Sequence, residues 1–579
     1  MAHGRKAAAR TIGADALAEF LLAQDIRTVF SLAGASFTYL LRALEQRGIA
    51  VIPTRHESAT VAAADGYARV TGKLGVALII ADQGVPNAIG GLTSAFYASS
   101  PVMVLAARLP LAWEEAEGEV DHDANQLVRP VTKWARNVPD ASRLLEYCQA
   151  AAKRALYGRP GPVVLSFEQD ILADELAGDG PAAQPLPAEC KPALATSTCA
   201  ALDALLAGAQ RPLIVAGSEA TRDGAGPALR ALAERGIPVL GNGLGRGLVP
   251  EDRIRGFSWP YAQIAACKAD LVLFLGARTT RRVGFGLPPR LAPDARVVQI
   301  DSSAEFLHRN RIADLAAQAD IAQAASQIEA LCAQGNRQWS GQWLNEALEE
   351  RRTALGALAA RDAGPIHPLE TVAALVRHTP EDAIVIGDGA DIQNWAYGLQ
   401  TIHTAPGFIE HYPLGSMGIG LPMALGAAAA AREMAGEGPA RPVVMLTGDG
   451  SFGFYPAELQ SAAQAGLKFT VVIANDAAWG TELHGQKVVT GAAYNTALTP
   501  ARYERVAQAF DLDGYHVERR EDLEGAISAA MASPGTAVVN VMIDDEAGMA
   551  LKRDPRVNMI LFSEVTEGIR TLSQGSEAD

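Results

Sequence analysis

Val443-Val444-Met445-Leu446-Thr447-Gly448-Asp449-Gly450-Ser451-Phe452 carries an apolar, partly β-branched run straight into a Gly-Asp-Gly turn. A short continuous apolar run closed by glycine reads as a strand buried on both faces, as in parallel sheets. One helix length further on, Phe469 to Ile473 repeats the pattern and ends in Ala474-Asn475-Asp476-Ala477-Ala478-Trp479-Gly480. Strand, turn, helix and strand in that order predict a βαβ unit, and open α/β sheets bind ligands beyond the carboxyl ends of their strands. Asp449 and Asn475 are therefore expected at the ends of two such strands. A carboxylate, an amide oxygen and a nearby backbone carbonyl suit a magnesium ion, which takes near-octahedral oxygens and shares itself with phosphates. Gly448 and Gly450 would let the backbone approach those phosphates.

The same rhythm extends outward in three segments. Strand candidates in the first are Val76 to Ile80, Val102 to Leu105 and Val163 to Leu165. The second has Leu213 to Val215, Leu271 to Leu275 and Val297 to Ile300, and the third has Ala383 to Ile386 beside the two runs above and Ala537 to Val541. A Pro-rich stretch with Pro181, Pro185, Pro187 and Pro192 reads as a linker, and Trp339 to Arg361 reads as a charged connecting helix. The predicted fold is three doubly wound, Rossmann-like parallel-sheet domains at 1–175, 198–335 and 366–545. Linkers stand at 176–197 and 336–365, and a tail at 546–579.

A chain of 579 residues exceeds one hydrophobic core, and 49% hydrophobic with 20% charged residues is ordinary globular composition. The net charge of −15 argues against sequence-independent binding of nucleic acid or anionic membrane. Five scattered cysteines without a C-x-x-C pair give no disulfide framework or zinc site. The basic start Met1 to Arg10 lacks an apolar signal core, and no run nears the ~20 apolar residues that span a bilayer. The alanine-rich Gly426 to Ala431 is far too short. A cytoplasmic protein is expected. Gly-Asp-Gly occurs twice more. Gly178-Asp179-Gly180 follows no strand, and Gly387-Asp388-Gly389 ends one but has no Asn at the matching distance, so neither is expected to bind metal.

A second motif stands near the N-terminus, Thr54-Arg55-His56-Glu57-Ser58-Ala59 followed by Ala64-Asp65-Gly66-Tyr67-Ala68-Arg69-Val70-Thr71-Gly72-Lys73. Together the two motifs resemble thiamine diphosphate-dependent enzymes of the acetolactate synthase, benzaldehyde lyase and 2-hydroxyacyl-CoA lyase group. The resemblance implies a pyrimidine-binding first domain, a central nucleotide-binding-like domain and a diphosphate-binding third domain. It implies a metal set of Asp449, Asn475 and the Ala477 carbonyl, with Gly448, Gly450, Ser451, Trp479 and Gly480 lining the diphosphate site. Glu57 becomes catalytic by that resemblance, because a carboxyl bonded to the aminopyrimidine ring helps remove the thiazolium proton. His411 to Gly418 resembles the segment that wedges an apolar side chain between the cofactor rings, here Met417, with Gly415 beside it. In this family active sites lie between subunits, which implies a homodimer or homotetramer.

The middle segment looks most like the CoA-linked lyases. Gly276-Ala277-Arg278, the loop Gly286-Leu287-Pro288-Pro289 and the strand ending in Asp301 suggest an adenine nucleotide, ADP or less favourably FAD. Arg278, Asp301, Asp320 and Ile321 would contact it, an acid at a strand end suiting ribose hydroxyls. Ser36 stands where benzaldehyde lyases have a histidine, and their glutamine is missing near Glu117 to Asp121. Glu482 is assigned to the substrate as a catalytic residue, with His484 as the other candidate. Lys552, Arg553 and Arg556 would meet CoA phosphates if the tail folds over the site, although a solvated, purely structural tail is the favoured expectation. The expected reaction is 2-hydroxyacyl-CoA cleavage to an aldehyde or ketone and formyl-CoA. The alternative is an acetolactate synthase-like enzyme or 2-oxo acid decarboxylase acting on small free acids. A nicotinamide-dependent oxidoreductase is the weaker alternative.

Overall fold

Every strand candidate named from the sequence becomes an inner strand of a parallel sheet. The computed structural model describes residues 11–113, 116, 123–176 and 183–560. Met1 to Arg10, Glu117 to Asp121, Gly178 to Gly180 and the tail beyond 560 lie outside the described residues.

The strands are β1 (Thr28–Ser31), β2 (Ala50–Pro53), β3 (Gly75–Ile80), β4 (Val102–Arg108), β5 (Trp134–Asn137), β6 (Val163–Glu168), β7 (Pro212–Ala216), β8 (Val239–Gly241) and β9 (Gly256–Ser258). They continue with β10 (Leu271–Leu275), β11 (Arg296–Asp301), β12 (Leu315–Gln318), β13 (Ile384–Gly387), β14 (Phe408–Glu410), β15 (Val443–Gly448), β16 (Thr470–Asn475), β17 (Asp513–Val517) and β18 (Ala537–Met542). Three six-stranded sheets result, ordered β2-β1-β3-β4-β6-β5, β12-β11-β10-β7-β8-β9 and β14-β13-β15-β16-β18-β17. Their strand pairs are parallel, for example β3 with β4, β10 with β7 and β15 with β16. The fold is thus three Rossmann-like α/β sheets flanked by helices. The helices that matter below are α1 (Glu57–Thr71), α2 (Ala81–Ala98), α3 (Ile321–Gln334), α4 (Glu349–Ala359), α5 (Asp391–Leu399), α6 (Gly420–Ala435), α7 (Gly480–Thr490) and α8 (Met549–Arg553). None of the described helices is long and apolar enough to cross a membrane.

The chain forms two compact units. One comprises the described residues within 11–189, 412–440 and 460–467. Here α1 starts on His56, whose Nδ1 accepts the Ser58 N–H at 3.0 Å, and ends on Gly72 at φ 72°. Ser58 through Val70 are all buried, because α1 packs against both α2 and α6. Small residues permit this. A β-carbon on Gly66 would stand 2.8 Å from Met423 Cα, and one on Gly426 would meet Tyr67 N at 2.9 Å. The alanine-rich run is therefore a close-packing helix face. Inside α1, Asp65 takes a two-pronged bond from Arg69 at 2.8 and 2.6 Å, with both side chains almost fully buried. Burial and the neighbouring Glu433 push the Tyr67 phenol pKa up.

Of the described residues, the second unit comprises 190–411, 441–459 and 468–560. Its two sheets share one continuous core, running from Leu213 and Phe274 through Leu355 and Trp395 to Val472 and Met559. Buried Arg351 on α4 donates to the carbonyls of Tyr261, Pro555, Arg556 and Asn558 at 2.6–2.9 Å. Asn394 on α5 bonds Asn558 and the Met559 N–H. Up to residue 560 the tail is thus fastened to the helices of its own unit.

Candidate active site

Gly448 and Ala474 are register partners, so Asp449 and Asn475 leave adjacent parallel strands side by side. Asn475 is fully buried and oriented by its amide N–H groups, which donate to the Ala501 carbonyl and Asn540 Oδ1 at 3.1 Å each. Its Oδ1 accepts the Ala477 N–H at 3.0 Å. Ala477 takes φ 51°, and its carbonyl accepts the Leu498 N–H at 2.7 Å, which leaves one lone pair for another partner.

Asp449 is 2% exposed, and its Oδ2 has no hydrogen-bond partner; the Oγ of buried Ser451 is likewise unpartnered. Burial raises the Asp449 pKa. Burial, then Asp449 and Asp391, raise that of Asp476, the next residue after Asn475. Two close, desolvated carboxylates call for a cation or a shared proton. The described residues hold no metal-ready group of three or more His, Cys, Asp and Glu side chains. One or two carboxylates, an amide oxygen and a carbonyl instead leave positions for phosphate oxygens. These residues fit a magnesium–diphosphate group.

Gly448 faces open space, its nearest neighbour 4.0 Å from where a β-carbon would stand. Gly450 is also required by a neighbouring side chain, since a β-carbon there would lie 2.6 Å from Cζ3 of Trp479. Gly480 opens α7, and its missing β-carbon leaves room for Asp476 Oδ2 and Asp391.

The second Gly-Asp-Gly proves to be a neighbour of the third. Gly387 pairs with Leu446, and a β-carbon on Gly389 would come within 3.2 Å of Gly448 N and 3.5 Å of Ser451 Oγ. Asp388 is fully buried beside His411 and accepts the Gly389 N–H. The triplet shapes the site without supplying an exposed ligand. Two adjacent strands ending in the same triplet were the signal available in the sequence.

Glu482 is exposed on α7, whereas His484 is fully buried, its Nε2 2.7 Å from the Asp545 carbonyl. Glu57, in the first unit, heads α1 half-buried and accepts from Asn87 Nδ2 at 3.1 Å, with Gly84 leaving space beside it. Gly415 at φ 83° and half-buried Met417 lie in the turn before α6, also in that unit.

In the central sheet, Asp301 is 4% exposed, and burial raises its pKa to about 7. Arg278 stacks on Phe306 with its guanidinium carbon 4.9 Å from the ring centre. Asp320 caps α3 through the Gln323 N–H, and the Ile321 N–H donates to Asp223. Asp301 suits a ribose hydroxyl, but the groups expected at adenine are already engaged within the chain.

Comparisons with known proteins identify the family. The sequence profile of the thiamine pyrophosphate enzyme N-terminal TPP binding domain matches residues 11–127, that of the central domain 199–328 and that of the C-terminal TPP binding domain 388–541. A probable acetolactate synthase of Mycobacterium bovis is 31% identical over 537 residues, covering 91% of this chain and 95% of its own. A 2-hydroxyacyl-CoA lyase 1 of Mus musculus is 25% identical, covering 92% and 94%. The solved structure of a thiamine diphosphate-dependent 4-hydroxybenzoylformate decarboxylase from Rhodococcus jostii RHA1 superposes with a TM-score of 0.78 at 23% identity, over 92% of this chain and all of that one. The chain belongs to the thiamine pyrophosphate enzyme family.

Proposed function

We propose that this protein is a thiamine diphosphate- and magnesium-dependent enzyme that breaks or makes a carbon–carbon bond beside a carbonyl. The carrying observation is the juxtaposition of Asp449 and Asn475 at paired strand ends, with a desolvated and unpartnered Asp449 oxygen. Bound thiamine diphosphate supplies a carbon nucleophile and an electron sink. The residues of this chain bind and orient it. Asp449, Asn475 and the Ala477 carbonyl hold the metal, Ser451 donates to the diphosphate, and Glu57 holds a proton at the aminopyrimidine ring. Met417 would pack against the bound cofactor, and copies of the chain would share active sites.

The acyl-CoA reading rested on the tail cations and on the middle segment. Arg556 pairs with Asp554 at 2.8 Å, and both line a groove of about 560 Å³ with Glu349 and Glu350. Those acids disfavour CoA phosphates. Together with the 31% identity to a probable acetolactate synthase, this supports a small free 2-oxo acid as substrate over a 2-hydroxyacyl-CoA. An ADP or FAD ligand at Asp301 remains part of the proposal only through that acid and Arg278. Product analysis by mass spectrometry, with pyruvate or a 2-hydroxyacyl-CoA as sole substrate, tests the choice. Release of formyl-CoA with no turnover of any 2-oxo acid would restore the thioester reading.

A further inference from the structure

His484 is fully buried, and both of its ring nitrogens face acceptors. Nε2 lies 2.7 Å from the Asp545 carbonyl, so that nitrogen carries a hydrogen. Nδ1 has no hydrogen-bond partner and faces Asp391 Oδ2 at 3.8 Å. A lone pair there would point at a carboxylate, so this nitrogen carries a hydrogen as well.

The ring occupies the second turn of α7, whose first residue, Gly480, lies against the acid cluster. A β-carbon at 480 would stand 2.5 Å from Asp476 Oδ2 and 3.5 Å from Asp391 Oδ2. On its other side the imidazole touches Gly548, which caps α8 and has no room for a β-carbon. One ring thus joins α5, α7 and the chain entering α8. The charges around it are Asp391 from α5, Asp476 from the loop after β16, and the Lys487–Glu546 ion pair between α7 and the segment after β18.

We infer that His484 is a positioning residue whose doubly protonated ring, held between Asp391 and Asp545, fixes the Gly480 end of α7 and thereby sets the affinity for thiamine diphosphate. The inference rests on the diphosphate reading of the Asp449 site. Burial opposes the ring's charge, but Asp391 outweighs it, so His484 titrates above its ordinary value. A raised histidine pKa means that the contact is intact at lower pH and lost as pH rises through that pKa.

The test measures the dissociation constant of thiamine diphosphate calorimetrically, in magnesium buffer, across pH 6 to 9 with the full-length protein. Wild type is expected to weaken by about tenfold on the alkaline side. His484→Gln should bind weakly throughout and lose that step. Asp391→Asn should keep the step but move it to lower pH, because the ring has lost its counter-charge. An unchanged step in His484→Gln, or an unmoved midpoint in Asp391→Asn, overturns the inference. If Asp449→Ala retains the cofactor, the site reading itself fails. If Asp449→Ala loses it while His484→Gln keeps the wild-type profile, only the role of His484 falls.

Discussion

Trp479 lies against Gly450, so closely that a β-carbon on the glycine would stand 2.6 Å from the indole Cζ3. Gly450 follows Asp449 at the end of β15, and Trp479 lies four residues beyond Asn475 at the end of β16, so the contact sets the spacing of the two donors. Overpacking such a contact costs about 1–3 kcal/mol. Gly450→Ala should therefore weaken magnesium-dependent cofactor binding by about tenfold or more. Gly453→Ala is the control, since its β-carbon would meet nothing nearer than 3.5 Å. Equal calorimetric affinities for the two variants would refute the proposed spacing role.

Two buried aspartates at neighbouring strand ends should respond differently. Asp449→Ala removes the unpartnered carboxylate and should abolish cofactor retention in magnesium buffer while the circular dichroism spectrum stays that of a folded protein. Asp388 accepts the Gly389 N–H and faces His411. Asp388→Ala should cost about 1–3 kcal/mol of stability, as deleting one partner of a buried hydrogen bond does. Its metal dependence should remain. Loss of metal response in Asp388→Ala with wild-type stability would reverse the two roles.

The strands legible in the sequence are those buried on both faces. Runs such as Val102 to Leu105, Leu271 to Leu275 and Val443 to Leu446 became β4, β10 and β15, in the middle of their sheets. The strands passed over, among them β2, β5, β9, β12, β14 and β17, stand at or next to sheet edges. Edge strands are short and mixed in polarity, so periodicity alone does not mark them. The same limit applies to the site. Asp449 and Asn475 were legible because strand, triplet and spacing locate them. Asp391, Asp476 and His484 meet only through tertiary packing of α5, the loop after β16 and α7, which no local pattern encodes. Gly450 was legible as a required glycine, but its contact with Trp479 was not, since that partner lies in another loop.

Arg351 offers a test of how the tail is held. Its guanidinium is buried and donates to four carbonyls, and burial lowers its pKa to about 10. Arg351→Met leaves those carbonyls short of donors and should destabilise by about 3 kcal/mol, the range for breaking a buried charge-assisted network. It should also expose Asp554 to Ile560 to proteolysis before the rest of the chain unfolds. Arg351→Lys should rescue little, because a single ammonium has three donors and no fork geometry. A wild-type melting temperature and digestion pattern for Arg351→Met would show that the clamp contributes nothing.

Glu57 separates cofactor binding from turnover. Glu57→Gln keeps the size and the Asn87 contact of the side chain but cannot supply its proton. Cofactor affinity should be close to wild type, and turnover should fall by a factor on the order of 10²–10⁴, as general acid–base losses do. Neither Glu57→Gln nor Asp449→Ala is expected to have useful activity alone. If copies of the chain share active sites, however, a hybrid of the two variants contains one site in which both residues are wild type. Random mixing of subunits then restores about a quarter of wild-type activity, half the dimers being hybrids with one working site of two. Mixing after mild dissociation, followed by an activity assay, reads this directly. Failure of the mixture to exceed its parents, with subunit exchange verified by native mass spectrometry, would show that each chain builds its site alone.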